Sequence, residues 1–208
     1  MQYTREPIYR VGEVTFYIPS YTDILQNSTC NVTATKSTEA GDGIYSLKMG
    51  TIESGVNCKT CFQDVHRCAG HHGHIILHSA KINVTYKEFI LSLLKCFCHT
   101  CHTFLLQDKF EELARATDRI NEASTMLKNI HRCLRCSTDV RKYHFNDIYI
   151  VDDRGNEVSA DLIYNIFKNI PRDVFNLLGL KENSHPKNTI MRALMVPPPC
   201  VRPYVCAG

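Results

Sequence analysis

The residues best suited to chemistry form two groups. Cys58-Lys-Thr-Cys61 precedes Cys68-Ala-Gly-His71, and Cys98-His-Thr-Cys101 is answered by Cys133-Leu-Arg-Cys136. Each group supplies four donors in two close pairs, the pattern of a closed tetrahedral zinc site. A CxxC turn presents both thiolates from one tight loop, so a second short pair completes the shell. In the first group His71 takes the fourth place because the Cys68–His71 gap matches the first pair and Gly70 permits a tight turn. His66, His72 and His74 compete for that place. In the second group Cys96 reads as a small packing residue on an apolar helix, and His99 and His102 read as outer-shell or solvated groups. Both groups leave no open position for water, which points to structural zinc; catalytic zinc keeps an open site.

Other chemistry is poorly served. The His-x-Glu element of a zinc deaminase is missing beside either group. There is no P-loop, no GxGxxG after a strand and no acidic cluster for magnesium. Asp152-Asp153 reads as a solvated turn pair. Cys30, Cys200 and Cys206 have no informative setting as nucleophiles.

The chain has 208 residues and eleven cysteines. Disulfides fit badly, since Met1 to Arg10 is polar and charged rather than a secretory leader, and bridging within CxxC is strained. The expected setting is a reducing intracellular compartment, where the sequons at Asn27, Asn31 and Asn83 have no meaning. No apolar run approaches the ~18 residues of a membrane helix. The net charge of +3 is too mild to argue for nucleic acid. Arg115, Arg119, Lys128, Arg132, Arg135, Arg141 and Lys142 do gather near the second group and could touch phosphates, but Glu111, Glu112, Asp118 and Glu122 are interleaved.

Elements must position these donors. Val14 to Ile18 alternates like a strand, and Ser20 with Asp23 has the spacing of a helix N-cap. Residues 26–54 read as loop with a docked segment, Tyr45 to Gly50. Ile75 to Leu77 reads as a strand and Tyr86 to Phe97 as a helix delivering Cys98. Asp108 to Leu127 reads as one long helix, its start marked by Asp108 and Glu111 and its seam by Phe110, Leu113, Ile120 and Leu127, packed on the domain and projecting between the halves of the second group. Tyr143 to Val151 reads as one strand. Ser159 opens a helix closed by Pro171, a shorter helix runs to Gly179, and Ile190 to Val196 reads as a strand. The proline run from Val196 to Pro203 reads as extended.

These motifs resemble a known family. Cys58-Lys-Thr-Cys61 with Cys68-Ala-Gly-His71-His-Gly-His-Ile-Ile-Leu77 resembles the N-terminal zinc signature of the largest subunit of multisubunit DNA-dependent RNA polymerases. Cys98-His-Thr-Cys101-His-Thr-Phe-Leu-Leu106 is similar to its next cysteine pair. Met49-Gly-Thr-Ile-Glu53 resembles its Leu-Gly-Ser-Ile-Asp stretch, and Leu194-Met-Val-Pro-Pro-Pro-Cys-Val-Arg-Pro203 its Val-Pro-Pro-Pro-x-Val-Arg-Pro segment. Ala69 stands where that family has proline and His72 where it has an aromatic residue. The short stretch between Cys101 and Cys133, with Lys181 to Pro186, looks more like the polymerases of large cytoplasmic DNA viruses.

The resemblance implies an α+β fold: an irregular, zinc-stabilised clamp region with two structural zinc sites, helices and short strands. It implies an N-terminal strand, helix and loop over 1–57, a zinc lobe over 58–136 and clamp core over 137–208. The implied role is to hold template DNA and the RNA–DNA hybrid. The implied partners are the second-largest subunit and the remaining polymerase subunits, in host cytoplasm or virion for a virus and otherwise in a nucleus. Nucleotidyl transfer and its magnesium would belong to the assembled enzyme, bound outside this chain, which would be a fragment or one product of a split gene. The competing expectation is a free-standing zinc-ribbon module that binds nucleic acid as a transcription factor.

Overall fold

Ser20 starts the first helix as its spacing predicts. Its hydroxyl accepts from the Asp23 amide while the Asp23 carboxylate accepts from the Ser20 amide, a complete capping box for α1 (Tyr21–Gln26). The computed structural model describes residues 11–34 and 42–202. Pro203 and the tail beyond it lie outside the described residues, as do positions 35–41 of the long loop.

The remaining elements, in order, are β1 (Gly73–Ile82), α2 (Lys87–Lys95), α3 (Phe110–Ala114), α4 (Arg119–Met126), β2 (Tyr143–Asn146), β3 (Tyr149–Asp152), α5 (Ala160–Lys168), α6 (Arg172–Leu177) and β4 (Ile190–Val196). β1 pairs antiparallel with β4, from Gly73 opposite Val196 to Ile82 opposite Ile190, with a register shift between Ile76 and Lys81. β2 and β3 form a separate hairpin. The fold is therefore α+β with small sheets. A main core joins Ile90, Leu93 and Leu94 of α2 to Leu113, Ala123, Ile150, Ile163, Ile166 and Phe167. A second small core holds Cys30, Val32, Met49 and Val196.

Arg192 of β4 fastens two helices to the sheet. Its guanidinium lies 5.5 Å from the Tyr21 ring of α1 and 5.3 Å from the Tyr164 ring of α5. α5 is capped by the Ser159 hydroxyl accepting from the Leu162 amide, and Gly179 takes φ +68° past the end of α6.

Four expectations fail in instructive ways. Val14 to Ile18 forms no strand: alternation supplies faces, but a strand needs a neighbouring edge, and this stretch pairs with none among the described residues. Phe16 is 91% exposed there. The long helix from Asp108 breaks into α3 and α4, because Asp118 ends the first run by capping the second, its carboxylate accepting from the Asn121 amide. Asp108 and Glu111 make no cap; the turn at 107–109 precedes α3, whose first residue is Phe110. α4 then packs against α2 instead of projecting. The strand from Tyr143 folds into a hairpin, with Asp147 at φ +58° in a loop that closes Asn146 onto Tyr149.

Asp152 is the fourth. Far from solvated, it is fully buried and accepts from Arg141 (2.7 Å), from the Arg154 and Asn156 amides and from the Asn156 side chain. Burial alone would raise its carboxyl, but the hydrogen bonds from Asn156 and Arg154 and the charge of Arg141 hold it below the ordinary value. A carboxyl depressed in the fold contributes stability above its unfolded value of 3.8, and that contribution is lost as pH falls below it. Asp152→Asn is therefore expected to be less stable at neutral pH yet to lose less stability on acidification below about pH 4. Urea unfolding followed from pH 7 to pH 3 checks this; parallel wild-type and variant curves would remove Asp152 as the acid-sensitive latch.

Candidate metal centres

Three cysteine turns share one backbone design. The amide of Cys58 donates to the Gln63 carbonyl and Phe62 donates back to Cys58, both at 2.9 Å. Cys98 pairs with Thr103 and His102 in the same way, and so does Cys133 with Thr138 and Ser137. In every case the residue after the second cysteine adopts a left-handed conformation: Phe62 at +59°, His102 at +55° and Ser137 at +56°. None of these is glycine, so each turn accepts local strain of roughly 1–2 kcal/mol to aim two thiols at one point.

The thiols meet where the sequence expects. The Cys58, Cys61 and Cys68 sulfurs and a ring nitrogen of His71 all lie within 4.8 Å of one another, as do the sulfurs of Cys98, Cys101, Cys133 and Cys136. The Cys98–Cys136 and Cys101–Cys133 sulfurs are 3.6 Å apart, and Cys68 Sγ lies 3.7 Å from His71 Nε2. These cysteines are free, and the spacing is far from a disulfide bond. Tetrahedral zinc with Zn–S of about 2.3 Å sets sulfurs about 3.8 Å apart, so both donor sets fit such an ion.

None of the competing histidines joins the first group. His74 lies in β1, and its Nδ1 is 2.6 Å from the Ser28 hydroxyl. His72 accepts from the Thr29 amide through its carbonyl, and both His72 and His66 are exposed. Cys96 is a buried packing residue whose thiol lies 3.3 Å from the Ser92 carbonyl, and burial pushes it up to about 12.

Within each group the thiols are pushed in opposite directions. Burial lifts Cys68 and Cys133 to about 11. The Thr138 hydroxyl, 2.9 Å from Cys136 Sγ, and the Thr138 amide pull that thiol down to about 6. Burial opposes ionisation of Cys58, yet the Cys61 and Thr60 amides bring it below its ordinary value. Clustered thiols cannot all ionise beside one another; a divalent cation removes that conflict, because ligating thiols bind as thiolates.

The two groups are held by different parts of the fold. The second sits at the edge of the main core: Cys98 and Cys133 belong to that core, the Phe97 and Phe104 rings meet tilted at 5.8 Å, and Arg135 donates to Thr103 across the two turns. The first, with all four donors within residues 58–71, is buttressed by two distant segments. The docked turn at Leu47–Met49 receives the Lys59 and His71 amides, and its Lys48 carbonyl accepts from the Thr60 hydroxyl. The end of β4 brings in the proline run, with a short helical turn at Pro199–Val201 where the sequence suggested extended chain throughout. Arg202 donates to the Ile44 carbonyl (2.6 Å) and crosses the Tyr45 ring. Most of the basic residues near the second group have structural partners: Arg119 binds the Leu177 carbonyl at the end of α6, Arg132 binds Asp139 and Arg141 binds Asp152. The Arg141–Asp152 latch was missed because an Asp-Asp-Arg-Gly string reads as an open turn.

This arrangement matches the family model for RNA polymerase Rpb1, domain 1, over residues 8–208. The chain belongs to that family. It corresponds to the N-terminal region of the largest polymerase subunit. Relatives include a probable DNA-directed RNA polymerase II subunit RPB1 homolog of Invertebrate iridescent virus 6, 30% identical over 95% of this chain and 22% of its own length. The RPB1 subunit of Euplotoides octocarinatus is 28% identical over 80% of this chain and 41% of its own length. Subunit Rpo1N of Methanocaldococcus jannaschii is 27% identical over 94% of this chain and 16% of its own length. The chain thus spans well under half of the relatives it matches. Among the described residues no helix is long and apolar enough to cross a membrane.

Gly70 joins the first group to the proline run. It takes φ +83°, and a Cβ there would meet Cys200 Sγ and Pro198 Cγ at 2.7 Å. Gly70→Ala is expected to pry the Pro198–Cys200 turn away from Cys68 and His71, lowering the melting temperature and raising the reactivity of the Cys200 thiol. Thermal unfolding with thiol labelling followed by mass spectrometry checks both; unchanged labelling would mean the tail is not held through this contact.

Proposed function

We propose that this chain is the N-terminal clamp portion of a DNA-directed RNA polymerase, with two structural zinc ions stiffening it. Cys58, Cys61, Cys68 and His71 hold one ion; Cys98, Cys101, Cys133 and Cys136 hold the other. The observation that carries this reading is the pair of closed four-donor groups, the first buttressed by distant segments and the second joining two remote turns. The polar segment 58–71 has few apolar residues of its own, and metal binding supplies folding free energy in such a region. No donor position is left for substrate, so these ions carry no chemistry.

The clamp's task is to close over template DNA and the RNA–DNA hybrid as one body. The zinc lobe over 58–136 would move with the 137–208 core, because α2 and α4 share their apolar packing with α5. The segment 1–57 contributes the docked turn beneath the first ion. Nucleotidyl transfer, with its magnesium, belongs to the assembled enzyme together with the second-largest subunit and the remaining subunits. The iridescent virus and African swine fever virus relatives support a viral enzyme working inside the host cell. Family membership disfavours a free-standing zinc-ribbon transcription factor.

Two zinc ions per chain are expected by elemental analysis. Cys133→Ser and Cys58→Ser should each lose one ion, with Cys133→Ser causing the larger loss of stability because its site joins the main core. Both should shorten the lifetime of elongation complexes assembled from the native polymerase. Variants that lose zinc but elongate with normal lifetime would defeat the rigid-clamp role. Tagged purification from the native source tests the assembly; recovery of the zinc-loaded chain without polymerase subunits would favour the free-standing module.

A further inference from the structure

A cleft of about 560 Å³ opens between the end of α2, α4 and the start of β2. This volume is that of a small-molecule site. Its lining includes the cations Lys95, Lys128 and Lys142, together with Arg141, whose charge is shared with Asp152, and not one Asp or Glu. The three lysines pair with no carboxylate among the described residues. Two other clefts carry acidic residues, Glu157 with Asp161 and Asp23 with Glu182, and a third, beside α1 and β4, has no acid but only Lys187 and Arg192 as cations.

A second observation is independent of charge. Among the described residues, only His99 Nδ1, Ser124 Oγ and Arg141 Nε are buried side-chain polar atoms without a hydrogen-bond partner. Ser124 and Arg141 both line this cleft. A buried hydroxyl or guanidinium N–H without a partner costs roughly 1–3 kcal/mol. The fold carries that cost at two points in one concave, cationic cleft. The lining also includes the apolar residues Leu127, Ile130 and Val140.

We infer that this cleft binds a small phosphorylated ligand, and a nucleoside diphosphate is the chemistry its walls fit. Phosphoryl oxygens would accept from the lysines, from Arg141 Nε and from the Ser124 hydroxyl, all charge-assisted or oxyanion bonds. A flat base would lie against the aliphatic residues. No ligand of either metal group lines the cleft, and the inference stands whether or not the clamp reading holds.

Hydrogen–deuterium exchange on the zinc-loaded full-length protein, with millimolar ADP, tests it. ADP is expected to protect residues 119–131 and 140–143, while adenosine and inorganic phosphate at equal concentration protect much less. Lys128→Ala with Lys142→Ala should weaken that protection at least about tenfold in ADP concentration. Ser124→Ala should weaken it severalfold while raising the melting temperature of the ligand-free protein, since it deletes an unpaired buried hydroxyl. That opposition between binding and stability is not expected of a structural serine. The inference is overturned if ADP gives no protection there, if the lysine variants leave it unchanged, or if inorganic phosphate protects as well as ADP. It is equally overturned if a short oligonucleotide displaces ADP and protects the same segments more strongly, which would make the cleft a nucleic-acid surface.

Discussion

The pairing of β1 with β4 is the constraint on which the rest depends. It closes a loop of more than a hundred residues, from Gly73 opposite Val196 to Ile82 opposite Ile190. Closing so long a loop costs conformational entropy before any contact offsets it. The offset comes from both sides of the ladder. On one side α5 and its neighbours bury Ile163, Ile166 and Phe167 in the main core. On the other, Met49 and Val32 pack beneath Val196, and Gly73 is small because a Cβ there would strike Met49 Sδ. The same pairing carries Pro198 to Gly70, so chain arriving from the far end packs against the first group without supplying a donor.

Within that closed loop the second donor group is placed where a bound ion would act as an inner clip. Cys98 leaves α2 and Cys133 follows α4, and the two turns meet through Thr138 and Arg135. An ion there would shorten the effective loop and fix α2 against α4, the contact that seals the main core. An ion in the first group would do the same for a stretch that lacks any regular element between Met49 and Gly73. The repeated left-handed residue shows what these turns are built for. Phe62, His102 and Ser137 accept unfavourable backbone geometry because the amides must curl around sulfur.

The polar interior follows a related rule. Asp152 is buried with every oxygen occupied, and Arg141 reaches it from the irregular chain just before the hairpin. A single buried carboxylate would be costly; bonded to two amides, a side-chain amide and a guanidinium it orders the turn after β3. Arg192 does comparable work outside the core, spanning the rings of Tyr21 and Tyr164 so that α1 and α5 share one strand.

Local spacing by itself determined which side chains gather. The CxxC pairs and Cys68-Ala-Gly-His71 come together because the turn that joins two thiols is short and built from its own backbone. Ser20 with Asp23, Ser159 and Gly179 likewise marked helix ends through contacts made within a few residues. Only the tertiary structure decided which patterns became elements. Val14 to Ile18 alternates without an edge to pair with, the run from Asp108 turns back at Asp118 so that α4 can bury Ala123 and Leu127 against α2, and Asp152 leaves solvent because Arg141 reaches it. His74 could have served as a ligand by type and nearness; the register of β1 instead turned it toward Ser28. Short-range geometry is written in adjacent residues, whereas pairing, burial and partner choice depend on chain that is remote in sequence.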